Sequence, residues 1–129
     1  PPRSTLFPYT TLFRSKRGAN VREVALYTWG LAEDVAPVLG LIDALESGQI
    51  DAIAFTSQVQ INNLLAIASQ AGKEESVRNI MANGPLVAAS VGPVCTKRMI
   101  EFGFRVDVEP DHPHMGNLVL AIADRLRAN

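Results

Sequence analysis

Between Val21 and Arg127, short apolar runs alternate with stretches whose apolar residues recur at helical spacing, and no other feature restricts the fold as strongly. Strand-like runs occupy Val24–Trp29, Asp51–Phe55, Leu86–Val91 and Arg105–Val108. The intervening segments read as helices. Pro37–Glu46 lines up Val38, Leu41, Ile42 and Leu45, the stretch from Ser57 or Gln58 to Gly72 lines up Ile61, Leu64, Leu65 and Ala68, and Glu74–Ala82 presents Val77, Ile80 and Met81. Two more follow: Pro93–Phe102, and Met115–Arg127 with Leu118, Ile122 and Leu126 inward. Strands that alternate with helices across short connections pair in parallel, with helices on the sheet's faces. The expectation is an α/β fold: a doubly wound, mostly parallel sheet of the flavodoxin-like or Rossmann-like kind, incomplete, with about four strands flanked by helices.

Local signals set the element ends. Asp34 is placed to cap the first helix, and Gly48, Gly72 and Gly103 each follow a helical stretch where a chain reversal is needed. Asn83-Gly84-Pro85 stops the charged helix. Pro93 suits the first position of a helix, where its missing N–H leaves no bond unmade.

Residues Pro1–Asn20 fall outside this pattern. Thr5-Leu6-Phe7 returns as Thr11-Leu12-Phe13, and Arg3-Ser4 returns as Arg14-Ser15. The block resembles a translated sequencing-adaptor sequence; the plainer reading is a flexible basic tail. Either way the fold is expected over residues 21–129, as one domain, and on the adaptor reading the chain is a fragment whose native protein begins upstream. At 129 residues and 47% hydrophobic content, the chain is long enough for one core. Four of its 12 basic residues precede Val21, so the remainder carries 8 basic against 13 acidic groups, net −5, which argues against nucleic acid as a partner of this domain. No apolar run has the length of a membrane span, and one cysteine allows no internal disulfide, so a cytoplasmic protein without membrane association is expected.

Three junctions carry the functional expectation. Phe55-Thr56-Ser57 runs into Gln58, Val91-Gly92 into Pro93, and the loop Glu109–His114 into Met115-Gly116-Asn117. Each leads a strand or loop into a helix N-terminus, where free backbone N–H groups and the positive end of the helix dipole favour anions. In open parallel sheets, ligands lie outside the strands' carboxyl ends. A ligand bearing carboxylates or phosphates fits such a rim.

The ordered set of Tyr27 after an apolar strand, Asp51-Ala52-Ile53-Ala54-Phe55-Thr56-Ser57, Val87-Ala88-Ala89-Ser90-Val91-Gly92-Pro93 and Gly103-Phe104-Arg105-Val106-Asp107-Val108 resembles the C-terminal half of uroporphyrinogen-III synthase. The resemblance spans about Val21–Arg127 and rests on the set, since each motif alone is weak. It implies a lyase of tetrapyrrole and heme biosynthesis, monomeric at full length, that takes hydroxymethylbilane and closes it with inversion of the last pyrrole ring, with neither cofactor nor metal. It also implies two α/β lobes with the substrate between them, of which this chain supplies one wall, so that the chain alone is expected to be inactive.

Carried onto this sequence, the resemblance makes Tyr27 the residue that assists loss of the substrate hydroxyl, and makes Thr56, Ser57, Gln58, Gly92, Pro93, Cys95, Met115, Gly116 and Asn117 substrate contacts. Plainer readings stand beside these: Tyr27 as a packed strand aromatic, and Thr56 and Ser57 as helix caps. Cys95 stands where the family usually has threonine. A helix N-terminus can lower a thiol's pKa, but a lone cysteine is more often a small buried hydrophobe. Asp111, His112 and His114 lack the further ligands of a metal site. Lys97 and Arg98 read most simply as a solvated helix face, and Lys97 or Arg98 could add attraction for a polyanionic substrate. A different class of function, a non-catalytic ligand-sensing α/β domain fused to a DNA-binding module, is the alternative; a receiver-like domain lacks its acidic cluster after the first strand.

Overall fold

The computed structural model describes residues 35–128. The Val24–Trp29 strand, Tyr27, Asp34 and the Pro1–Asn20 stretch lie outside them. Among the described residues the order is α1 (Ala36–Glu46), β1 (Ala52–Phe55), α2 (Gln58–Gln70), α3 (Glu74–Asn83), β2 (Val87–Ser90), α4 (Pro93–Glu101) and α5 (Met115–Ala128). The expected α/β class is present.

Three helices end in the same way. After α1, Gly48 N–H donates to the Leu45 carbonyl and Gln49 N–H to that of Ala44; after α2, Gly72 and Lys73 donate to Ser69 and Ala68; after α4, Gly103 and Phe104 donate to Ile100 and Met99. The paired reversed bonds form a Schellman motif. It requires a left-handed residue, and Gly48, Gly72 and Gly103 have φ of 74°, 73° and 82°. The start of α1 differs from expectation, because its N-cap is Val35, whose side chain makes no cap bond.

β1 and β2 are parallel and in register from Ala52↔Val87 to Phe55↔Ser90. Side chains alternate across this ribbon. Ile53, Phe55 and Ala88 join the main core with Val38 and Ile42 of α1, Ile61, Leu64 and Leu65 of α2, Val77 and Met81 of α3, and Met99 of α4. On the other face Val87 and Ala89 pack with Val108 and Leu118, against Ala121 and Ile122 of α5. Helices therefore cover both faces. Leu126, expected to point inward, is 39% exposed, because the small second cluster gives the last turn of α5 no apolar surface beyond Ile122.

The expected strand Arg105–Val108 is reduced to one parallel bridge, Ala89↔Val108, so of the three expected strands that fall among the described residues two are formed. Side chains explain the reduction. Asp107 and Val108 both donate N–H groups to the Ala88 carbonyl, at 2.8 and 3.2 Å, and Ser90 N–H donates to the Val108 carbonyl at 2.9 Å. The Ala88 N–H, however, donates to the Asp107 carboxylate at 2.8 Å instead of to a backbone carbonyl. Arg105 meanwhile turns back, its backbone N–H on the Met81 carbonyl and its guanidinium on the carbonyls of Ala82 and Leu86. A carboxylate and a guanidinium have taken ladder positions.

Candidate functional site

Because β1 and β2 run parallel with Phe55 opposite Ser90, both strands end at one edge, and α2 and α4 start from it. The Val91 N–H donates to the Phe55 carbonyl at 3.0 Å, tying the two corners together. The approach to α5 reaches the same place. A Cβ added at Gly92 would lie 3.1 Å from Pro113 Cβ, and the Thr96 hydroxyl donates to Glu109 Oε1 at 2.5 Å. The structure thus brings together the three expected corners, with Pro113 packed close against Gly92.

At the first corner the amides are already engaged. Gln60 Oε1 accepts from the Thr56 N–H at 2.7 Å and the Ser57 N–H at 3.2 Å, and Gln60 Nε2 donates to Thr56 Oγ1 at 3.0 Å. Ser57 faces the third amide of α2 as in a capping box, but its buried Oγ closes no hydrogen bond of ordinary geometry. Thr56 and Ser57 are half-buried and Gln58 is exposed, so Gln58 is the outward group here. Gln60 was missed in reading the sequence, though Ser57-x-x-Gln60 has the spacing of a capping box.

At the second corner Ser90, wholly buried, donates its hydroxyl to the Gly92 carbonyl at 2.8 Å and accepts the Gly92 N–H at 3.3 Å. This clasp was also missed; its only signal is one hydroxyl ending an apolar strand before Gly-Pro. Pro93 is the exposed first residue of α4. Cys95 is 2% exposed and donates its thiol to the Phe55 carbonyl at 3.4 Å. Burial, with a further push from the Glu109 charge, raises its pKa against the opposing bonds from Ser90 and Val91. The thiol therefore stays protonated and faces the core. The activating effect of a helix N-terminus is outweighed, and a side-chain contact from Cys95 to a ligand is unavailable in this arrangement.

The edge is electrically uneven. Gln58, Val94, Lys97, Arg98 and Glu101 line a cavity of about 240 Å³. Around the start of α5, Asn117 lies in an open cleft of about 480 Å³ with Glu109, Asp111, His112 and Asp124. Gly116 and Asn117 are half-buried. No group of three or more potential metal ligands close enough to share an ion occurs among the described residues, and no helix among them is long and apolar enough to cross a membrane.

The family model of uroporphyrinogen-III synthase HemD matches residues 10–120. The chain belongs to the uroporphyrinogen-III synthase family. The match starts inside the Pro1–Asn20 stretch that had been set apart from the fold. A Methanothermobacter thermautotrophicus protein that carries a provisional uroporphyrinogen-III synthase name is 32% identical over 108 residues, covering 82% of this chain and 40% of that protein. YjjA of Bacillus subtilis, an uncharacterized protein, is 25% identical over 116 residues, covering 90% of this chain and 42% of its own length. The chain therefore spans about two-fifths of the curated relatives it matches. No solved structure matches it. In this family setting, the Phe55-Thr56-Ser57 and Gly92-Pro93 corners that suggested the synthase lie on one edge, tied by the Val91–Phe55 bond.

Proposed function

We propose that this chain carries the C-terminal part of one lobe of a uroporphyrinogen-III synthase, a cytoplasmic lyase of tetrapyrrole biosynthesis. The intact enzyme converts hydroxymethylbilane to uroporphyrinogen III and water, inverting the last pyrrole ring. The supporting observation is the meeting of three helix-starting corners at one sheet edge in a chain of this family. Such an edge suits a substrate with eight carboxylates, because helix N-termini attract anions without presenting a basic side chain for each.

In this reading Tyr27 donates a proton to the substrate hydroxyl, which departs as water and leaves an azafulvene cation. The substituted carbon of the last ring attacks that cation to give a spiro intermediate. Fragmentation and recombination then deliver the inverted ring, and loss of a proton restores neutrality. The residues of this chain hold the acidic side chains while the rings rearrange, and no metal or cofactor takes part. The lobe completes a doubly wound, flavodoxin-like sheet around β1 and β2, and the chain alone, with one wall of the cleft, does not close the ring.

The test is to join the chain to the N-terminal half of a related full-length synthase, supply hydroxymethylbilane and resolve the product isomers. The type III isomer is expected. Only the type I isomer, which forms spontaneously, would overturn the proposal, and an unchanged rate in Tyr27→Phe would remove Tyr27 from the acid role.

A further inference from the structure

The Thr56 and Ser57 amides are held by Gln60 and the Cys95 thiol by Phe55, so several donors expected at the edge are engaged within the chain. The cavity between the first turn of α2 and the exposed face of α4 is different. Val94, Lys97, Arg98 and Glu101 follow i, i+3, i+4, i+7 spacing and form one stripe on α4, facing Gln58, the first residue of α2. Among the described residues, neither the Lys97 ammonium nor the Gln58 side-chain amide has a hydrogen-bond partner. Arg98 is fixed in place: its guanidinium lies 5.6 Å from the centre of the Phe102 ring. Its Nε–H is buried without an acceptor, since Glu101 Oε1 stands 3.6 Å away, too far for a hydrogen bond. Lys97 and Arg98 outweigh the one carboxylate of Glu101, and Val94, 66% exposed, adds an apolar wall.

We propose that this cavity is a carboxylate subsite, in which Lys97 Nζ and Gln58 Nε2 donate to one acidic side chain of the ligand, Arg98 supplies a fixed positive charge behind them, and Val94 packs on the methylenes that carry the carboxylate. The identity of the ligand rests on the tetrapyrrole reading above. The contrast with the α5 cleft supports the assignment: Glu109, Asp111 and Asp124 set three carboxylates around Asn117, so the start of α5 offers backbone N–H groups to an acidic side chain without a favourable side-chain charge, and the α2–α4 side binds it better. A charge-assisted bond between ammonium and carboxylate is about twice as strong as a neutral one, and Lys97 gives up no existing ion pair to make it.

The experiment titrates the isotope-labelled 129-residue chain with uroporphyrin, a tetrapyrrole with eight carboxylates, and follows amide resonances. The Gln58 side-chain amide and the first-turn amides of α4 are expected to shift while the Asn117 side chain does not. Lys97→Met is expected to weaken binding roughly tenfold and to flatten its salt dependence. Lys73→Met, an equal charge change at the opposite end of α2, is expected to leave the affinity unchanged. Shifts centred on Asn117, or unaltered affinity in Lys97→Met, would overturn the subsite and leave the tetrapyrrole reading standing. If the unaltered chain shows no shift, the subsite is overturned, while the tetrapyrrole reading stands or falls with the product isomer of the joined protein. Lys97 is exposed, so its replacement leaves the core intact.

Discussion

The Asp107 carboxylate joins three parts of the chain: it accepts the Ala88 N–H of β2 at 2.8 Å, pairs with Arg105 at 2.9 Å and lies 3.8 Å from Arg125 of α5. Burial pushes its pKa up, but the Ala88 bond and the two guanidiniums together outweigh burial and hold it below the ordinary carboxylate value. A carboxylate whose folded pKa is depressed contributes stability above its unfolded pKa, about 3.9, and loses it as pH falls through the lower folded value. Asp107→Asn is expected to lower stability by about 1–3 kcal/mol at neutral pH and to flatten the acid limb of the stability curve below about pH 4. Denaturant midpoints measured from pH 7 downward check this, and parallel acid limbs in the two proteins would contradict it. Gln60 illustrates a different effect. Its neutral amide makes the bonds that a glutamate makes in the usual capping box, and so sets no negative charge at this corner.

At the scale of elements, helix ends and apolar faces were the parts most readable from sequence. Ile61, Leu64, Leu65 and Ala68 are all buried as their spacing implies, and Gly48, Gly72 and Gly103 all take the left-handed conformation. These features are local, fixed by residues within a turn or two. The Arg105–Val108 strand was not readable, because its outcome depends on a long-range bond from Asp107 to Ala88 that no local pattern contains. The corners followed the same division: their positions were legible, whereas the engagement of Thr56 and Ser57 by Gln60 and of Gly92 by Ser90 depended on side-chain direction. The turn after α3 offers an element-scale test. A Cβ at Gly84 would stand 2.6 Å from the Ile80 carbonyl oxygen and 3.2 Å from Leu86 Cδ2, so Gly84→Ala forces the end of α3 away from the start of β2. A loss of about 1–3 kcal/mol is expected by chemical denaturation, and a neutral result would show that the turn relaxes freely.

Across the whole molecule, α2 is the central support: it touches α1, α3, α4 and β1, and Leu64 near its middle is wholly buried. Truncating Leu64 to alanine is expected to cost about 2–5 kcal/mol, a large share of the roughly 5–15 kcal/mol that holds a domain folded. Thermal unfolding monitored by circular dichroism should show a clearly lowered midpoint, and an unshifted one would move the structural centre elsewhere. The two cavities of opposite charge at the strand edge also act before any contact forms. Seen from a Debye length away, about 10 Å at moderate ionic strength, they present a local electric dipole lying across the mouth of the site. On the proposed function, a flexible polyacid diffusing toward that edge would be turned on approach, its acidic arms swinging toward α4 rather than α5, so that encounters would be sorted by orientation as well as by frequency.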